Sequence, residues 1–138
     1  MMLASDYYDT DFAIGQDHSD LLVWLGRPGS DANGDPPFAV GGVLRPRQWS
    51  NVDVVLQRDG IRIDIDGRTR LTEHLAADSP RAWSQGQIAL GDEVHGGGPW
   101  QGQIRHAEVR GPGYAVDYVR PGALRIPQSL LIKSDGSR

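Results

Sequence analysis

The feature that most constrains the fold of this chain is a pair of alternating segments on either side of Asp59-Gly60. Apolar side chains recur at every second position in residues 52–56, and they do so again in residues 61–65. Period-two alternation around an Asp-Gly dipeptide predicts a β-hairpin with one buried face and one charged face. A second Asp-Gly, at residues 66–67, predicts a further turn into a third strand.

Turn signals divide the rest of the chain into short segments, and most of these are predicted strands. Residues 28–37 combine Pro, Gly, Asn, Asp and Ser and predict a loop. Residues 73–84 hold the one candidate for a helical turn, which is too short to be stable alone. Short strands are predicted at residues 12–14, 21–25, 87–90, 114–119 and 100–109, the last with a bulge near Arg105 and His106. Many short strands without a long helix predict an all-β sandwich or barrel.

Length and composition narrow the class of protein. The chain has 138 residues, which suits one domain. Its formal net charge of −4 argues against nucleic acid as a partner, because duplex binding needs clustered Lys and Arg. The chain has no cysteine, so disulfides and thiolate metal sites are excluded. No apolar run approaches the roughly 18 residues of a membrane span, and the first residues do not resemble a signal peptide.

A family resemblance is carried by two parts of the sequence. Residues 48–56 (QWSNVDVVL) and 58–67 (RDGIRIDIDG) combine a Trp that opens a strand, an Asp-Gly hairpin and a second strand that ends on Asp-Gly. Residues 88–91 (IALG) and 99–109 (PWQGQIRHAEV) look like the closing segment of the same pattern. Together they resemble the laminin G-like family. The resemblance implies a concanavalin A-like jelly roll, an antiparallel β-sandwich in which two curved sheets pack face to face.

A narrower resemblance is carried by residues 11–16 (DFAIGQ), 20–23 (DLLV), 27–37 and 118–121 (YVRP). These segments look like the concanavalin A-like domains of actinobacterial proteins that also carry a VanZ-like membrane domain. The strands that a full domain has before residue 10 are missing, so the chain is either truncated or a reduced sandwich with an open N-terminal edge. The expected organisation is an irregular segment at 1–9, a laminin G-like sandwich at 10–111, and a final strand with a tail or linker at 112–138.

The sequence offers no clear catalytic group. Retaining glucanases of this fold use two carboxylates about 5 Å apart, borne by alternate Glu, Asp and Glu residues of one strand. The nearest segment here has Asp64 and Asp66 but no Glu, and Asp66 suits the hairpin turn better. The four histidines are scattered without metal-ligand spacing. We therefore expect a protein that is not an enzyme, with glycoside hydrolysis as the least favoured alternative.

Calcium is the one cofactor that the sequence suggests. Asp31, Asn33 and Asp35 stand at alternate positions of the predicted loop, and Ca²⁺ takes oxygen ligands of this kind. The EF-hand pattern is incomplete, because Pro36 stands in the place of its Gly and the distal Glu is missing. A polar turn held by Asx hydrogen bonds explains the same residues, and both interpretations stay open.

Tryptophan is the usual platform for sugar rings, because its flat apolar face carries a polar edge. The resemblance assigns Trp49 and Trp100 to the core. Trp83 follows a loop segment and Trp24 lies opposite in parity to its apolar neighbours, so these two residues and Arg27 are the candidate ligand-binding residues.

The expected function is that of a non-catalytic recognition module, which binds a glycan or another cell-surface ligand through loops at the sheet rim. The resemblance implies a bacterial envelope protein with a membrane domain in the same parent chain, and a module at the envelope or extracellular face. The alternative is a structural or protein-interaction domain, which forms a homodimer through an open strand edge.

Overall fold

A computed structural model describes residues 2–4, 10–57, 59–76, 86–90, 102–111, 114–119 and 128–132. Within these residues every regular element is a β-strand, and every paired strand is antiparallel to its neighbour. The strands are β1 (Met2–Ala4), β2 (Thr10–Asp17), β3 (Asp20–Leu25), β4 (Phe38–Val40), β5 (Val52–Gln57), β6 (Gly60–Ile65), β7 (Arg68–His74), β8 (Gly86–Leu90), β9 (His106–Gly111), β10 (Tyr114–Val119) and β11 (Gln128–Ile132). The prediction of an all-β antiparallel fold is confirmed.

The described strands form three hydrogen-bonded sheets. One has six strands in the order β11-β8-β1-β2-β3-β4, one has three in the order β5-β6-β7, and β9 pairs with β10. The two larger sheets contribute to a single cluster of buried side chains, as a sandwich requires. That core contains Phe12, Leu21, Val23, Leu25, Val40, Ile61, Ile63, Ile65 and Leu75, with Ala107 and Val109 of β9 packed against it.

Alternation explains which residues reach this core. In β3 the burial pattern alternates strictly, and its buried members are Leu21, Val23 and Leu25. In β6 the same holds for Ile61 and Ile63, which are almost fully buried. Each such side chain contributes roughly 1.5–3 kcal/mol by leaving water. The period-two pattern read from the sequence therefore identifies the core of the protein correctly.

The hairpins follow the predicted turns, with two adjustments. Asp66 and Gly67 have φ values of 51° and 74°, as a two-residue hairpin turn of type I′ requires. The β2–β3 turn is also two residues long, His18 and Ser19, and so is shorter than the polar loop expected there. Gly60 is the first residue of β6 rather than part of the turn. A Cβ on it would lie 2.9 Å from a β7 carbonyl oxygen, which explains the glycine.

Both ends of the chain contribute strands that periodicity did not reveal. Residues 2–4, in the segment expected to be irregular, form β1, and residues 128–132, in the expected tail, form β11. Since β1 pairs with both β2 and β8, the N-terminal segment lies inside the six-stranded sheet instead of leaving an open edge. Strands of three to five residues are too short for alternation to distinguish them from loops.

Two further expectations differ from the structure. Glu73 and His74 end strand β7, so the predicted helical turn does not begin there, and residues 77–84 of that prediction lie outside the described residues. The bulge expected near Arg105 and His106 is wrong, because β9 begins only at His106 and then pairs with β10 without a register shift. The broken alternation reflects the start of a strand.

Candidate functional site

Trp24, a candidate ligand-binding residue, lies on the outer face of the six-stranded sheet. Its neighbours Val23 and Leu25 are buried in the core, so its side chain points the other way. A Cβ on Gly15 would come within 2.7 Å of the indole, so the ring lies directly against the β2 backbone. The indole Nε1–H donates a hydrogen bond to Oδ1 of Asp35 at 2.8 Å. Trp24 thus ties the outer face of the sheet to the loop that follows.

Arg27, the second candidate, organises the β3–β4 loop (residues 26–37) from within. Its guanidinium donates to the carbonyl oxygen of Pro36 at 2.7 Å and to that of Leu25 at 3.3 Å. The Cζ atom also lies 4.3 Å from the centroid of the Phe38 ring, which is a cation–π distance. Both terminal nitrogens of the guanidinium therefore already donate to backbone carbonyl oxygens of this segment.

The candidate calcium ligands are also bonded within this loop. Oδ1 of Asp31 accepts hydrogen bonds from the backbone N–H of Asn33 at 2.8 Å and of Asp35 at 2.9 Å, which is the arrangement of an Asx turn. Among the residues described, no group of three or more His, Asp or Glu is placed to hold a metal ion. Calcium at Asp31, Asn33 and Asp35 stays a prediction.

The remaining tryptophans divide into two that lie outside the described residues, Trp83 and Trp100, and one that is exposed, Trp49. The ligand-binding role of Trp83 therefore stays a prediction. The assignment of Trp49 to the core is wrong. Strand β5 begins only at Val52, so Trp49 precedes the strand and does not share its inward face.

Trp49 is 45% exposed, and among the described residues it is the large apolar side chain that stands out in this respect. The Cζ atom of Arg105, the residue before β9, lies 3.7 Å from the centroid of its ring. A guanidinium at this distance makes a cation–π contact and covers one face of the indole. The indole thus combines a stacked guanidinium with a substantial solvent-exposed area.

The residues before Trp49 form a tight turn in the β4–β5 loop (residues 41–51). The backbone N–H of Gln48 donates to the carbonyl oxygen of Arg45 at 3.3 Å, and Arg47 has a φ of 62°. With Pro46 in the second position, the turn has the features of type II, whose third residue has positive φ and is usually glycine. Here that position holds an arginine.

Arg45, Arg47 and Arg105 are all exposed, and none of them forms an ion pair within the described part of the chain. Arg45 and Arg47 precede Trp49 by four and two residues in the same loop, and Arg105 stacks on its indole. We call Arg45, Arg47, Trp49 and Arg105 the arginine–tryptophan surface. In protein–protein interfaces, Trp, Tyr and Arg are enriched among the residues that contribute most to binding.

Sequence reasoning missed this surface for two identifiable reasons. The resemblance treated Trp49 as the first residue of a strand, although Pro46 only three positions earlier favours a turn. Arg105 is distant in sequence, and its stacking on the indole depends on the packing of β9 against the core. Pro46 was therefore a sequence signal for the turn that exposes Trp49. No sequence signal indicated the stacking of Arg105.

The carboxylates nearest to a glucanase pattern hold the three-stranded sheet together. Asp64 forms an ion pair with Nε of Arg62 at 3.0 Å and accepts a hydrogen bond from Oγ1 of Thr69 at 2.6 Å. Oδ1 of Asp66 accepts the backbone N–H of Asn51 at 2.8 Å. These carboxylates thus have structural partners on neighbouring segments.

Comparisons with known proteins found no match: no family model, no curated protein and no solved structure matches the chain. Among the described residues, no helix has the length and hydropathy needed to cross a bilayer.

Proposed function

We propose that the protein is a non-catalytic carbohydrate-recognition module with a concanavalin A-like jelly-roll fold, and that it binds its ligand at the arginine–tryptophan surface. The observation that carries the proposal is the exposed indole of Trp49 with Arg105 stacked on one face. The β-sandwich core and the resemblance to laminin G-like domains support the jelly-roll assignment.

A sugar ring fits this arrangement for physical reasons. The C–H face of a pyranose is apolar and packs on the flat face of an indole, while its hydroxyl groups reach polar side chains at the ring edge. Arg105 restrains the Trp49 side chain, so that less conformational entropy is lost when a ligand binds. The loop also projects from a rigid sheet, as binding residues commonly do.

The non-catalytic part of the proposal rests on the acidic residues. The described segment that comes nearest to a glucanase pattern lacks Glu, and its two carboxylates, those of Asp64 and Asp66, both accept hydrogen bonds from other residues of the sheet or of the segment before β5. A retaining glycosidase needs a free nucleophile and a free acid on the same side of the sugar. Incubation of the protein with the glycan that it binds should release no reducing ends, and release that Asp64→Asn abolishes would contradict this part.

The envelope location is proposed from the resemblance to VanZ-associated modules. On that basis the parent chain carries a membrane domain, and the module faces the cell surface. Fractionation of the source cells, with an antibody against residues 102–111, should find the protein with the envelope. Recovery in the soluble cytosolic fraction alone would contradict the location and leave glycan binding to be judged separately.

A glycan array tests the binding proposal. The intact protein should bind a subset of glycans, and Trp49→Ala should abolish that binding. Trp24→Phe is the matched control, because it changes a tryptophan whose Nε1–H is bonded within the β3–β4 loop. Duplicate arrays, one with calcium and one with a chelator, test whether glycan binding requires a calcium ion at Asp31, Asn33 and Asp35. Binding that Trp49→Ala leaves unchanged would overturn the proposal.

Strand β7 supports the second candidate function, protein interaction through a sheet edge. This strand has seven residues, nearly all of them exposed, and in the described part of the chain it pairs on one side only, with β6. An exposed edge of this length can pair with another strand. Light scattering should then show a homodimer that Thr72→Pro converts to a monomer, whereas a wild-type monomer at high concentration would exclude self-pairing.

A further inference from the structure

Resting on the proposed function, we infer that the ligand of the arginine–tryptophan surface is an acidic polysaccharide, whose anionic groups pair with Arg45, Arg47 and Arg105 while a sugar ring packs on Trp49. Neutral glycans offer the ring but no partner for the guanidinium groups. The charge around the indole therefore specifies the class of sugar.

The segment around Trp49 differs in charge from the rest of the chain. The chain carries a formal net charge of −4, yet residues 36–52 contain no Asp or Glu and include Arg45 and Arg47. The nearest carboxylates along the chain belong to Asp35 and Asp53, which accept hydrogen bonds from the Trp24 indole and from the Asn51 side chain. The positive groups at the turn thus remain without carboxylate partners among the described residues.

The turn at Pro46 and the stacking of Arg105 bring basic residues close to Trp49. The hydrogen bond from Gln48 to Arg45 closes the turn, which holds their Cα atoms within roughly 7 Å of each other. Arg47 and Trp49 are two residues apart, and Arg105 reaches the same indole from β9. Arg45 and Arg47 thus lie within four residues of Trp49 in the same loop, and the guanidinium of Arg105 contacts the indole itself. Guanidinium groups bind carboxylate, sulfate and phosphate oxygens in paired hydrogen bonds.

Arg47 has an unusual backbone conformation. Its φ of 62° lies in the left-handed region, where a side chain other than that of Gly, Asn or Asp is strained. Glycine at this position would relieve the strain without altering the turn. Strained residues of this kind cluster at binding sites, where the side chain has a role that offsets the strain. A guanidinium held at the tip of the turn is such a side chain.

The charge balance also separates an acidic polysaccharide from nucleic acid. A nucleic-acid surface needs an extended basic track along which several phosphates lose their counterions. The arginine–tryptophan surface contributes three basic groups from one turn and Arg105, while acidic residues predominate in the chain as a whole. A short patch suits one or two anionic sugars better than a phosphate backbone.

The test is calorimetric titration of the full chain with polygalacturonate, heparin, neutral dextran and a single-stranded DNA oligonucleotide. Polygalacturonate carries carboxylate groups and heparin also carries sulfate groups, so the two polymers show which anionic group the protein prefers. We expect at least one of them to bind more tightly than dextran and DNA, with an affinity that falls as salt rises. Arg47→Gly and Arg45→Ala should each weaken that binding roughly three- to tenfold, as the loss of one charge-assisted contact predicts. Arg70→Ala, on exposed β7, is the control and should change nothing.

The outcomes separate this inference from the proposed function. Dextran binding that Trp49→Ala abolishes but Arg47→Gly and Arg45→Ala leave unchanged would overturn the acidic ligand and retain sugar recognition. DNA binding as tight as that of both acidic polysaccharides would overturn the ligand class. No binding to any polymer, or binding indifferent to Trp49→Ala, would overturn both proposals. Arg47→Gly is a safe variant for this purpose, because glycine adopts the positive φ of that position without strain.

Discussion

The two loops on either side of β4 use similar side chains in opposite ways. In the β3–β4 loop, Arg27 donates to backbone carbonyls and Asp31 accepts from backbone N–H groups. In the β4–β5 loop, Arg45 and Arg47 have no ion pair among the described residues, and the indole of Trp49 is exposed. The polar side chains of the first loop form hydrogen bonds within that loop, whereas the arginines of the second loop are exposed to solvent.

This difference shows what residue type alone does not reveal about a binding loop. The β3–β4 loop has the composition of a site, with acidic oxygens at alternate positions and an arginine beside them. Its hydrogen bonds are satisfied internally, so a ligand would have to replace them. The β4–β5 loop has no acidic residue and no motif typical of a binding site. Its arginines and its tryptophan are nevertheless exposed to solvent, where a ligand could contact them. The predictions below test whether the two loops differ in this way, from the largest expected effect to the smallest.

The largest effect is expected for Gly34→Ala in the β3–β4 loop. Gly34 has a φ of 82°, and a Cβ there would lie 2.9 Å from the backbone nitrogen of Leu25. Strain and overlap together should lower the free energy of unfolding by about 3 kcal/mol, measured by urea denaturation. Gly29→Ala is the control: its φ is 88° but no atom lies within 4 Å, so about 1 kcal/mol is expected. Equal losses would show that the loop is not packed on β3.

Arg27→Ala should have the next largest effect. Loss of the bond to Pro36 and of the contact with Phe38 should lower the free energy of unfolding by about 2 kcal/mol. Arg45→Ala, in the exposed turn, should change it by less than about 0.5 kcal/mol. Urea denaturation compares the two variants. A similar loss in the free energy of unfolding for both would contradict the proposed difference between the two loops.

Much of the core could be predicted from the sequence, because alternation is a direct consequence of sheet geometry. The pattern in β5 and β6 and the Asp66-Gly67 turn identify a hairpin and its buried face without any tertiary information. The three-residue strand β1 could not be predicted in this way, since its pairing with β2 and β8 is set by distant parts of the chain.

The candidate site was harder to predict than the fold. The sequence drew attention to Asp31 and Asp35 because oxygen atoms recur there, but whether those atoms are already bonded depends on where Trp24 and the backbone lie. Trp49 was assigned to the core because the start of β5 was set three residues too early. Exposure and stacking are properties of the packed structure, and neither is encoded in a local pattern.

Arg47→Gly should have an effect of opposite sign. Glycine relieves the positive-φ strain, so the free energy of unfolding should rise by about 1 kcal/mol even though a side chain is lost. Thermal denaturation should show the corresponding increase in Tm. Arg45→Gly is the matched control, since Arg45 has no positive φ and should gain nothing. A loss of stability in Arg47→Gly would show that the arginine supports the fold rather than a ligand.

A smaller loss is expected for Trp24→Phe. The ring remains over Gly15, but the hydrogen bond from Nε1–H to Asp35 is lost, which should cost about 1 kcal/mol. Trp49→Phe should cost less than about 0.5 kcal/mol, because no hydrogen bond is removed from an exposed ring that still stacks on Arg105. Parallel urea titrations compare the two tryptophans, and a larger cost at Trp49 would indicate a structural role for it.

The most direct test of the account measures affinity and stability on the same two variants. With a glycan that the intact protein binds, Trp49→Ala should weaken binding at least about tenfold while the free energy of unfolding stays within about 0.5 kcal/mol of the wild type. Trp24→Phe should lose stability and keep the wild-type affinity. The opposite result, in which Trp24→Phe loses affinity and Trp49→Ala keeps it, would contradict the account and locate recognition on the outer face at β3.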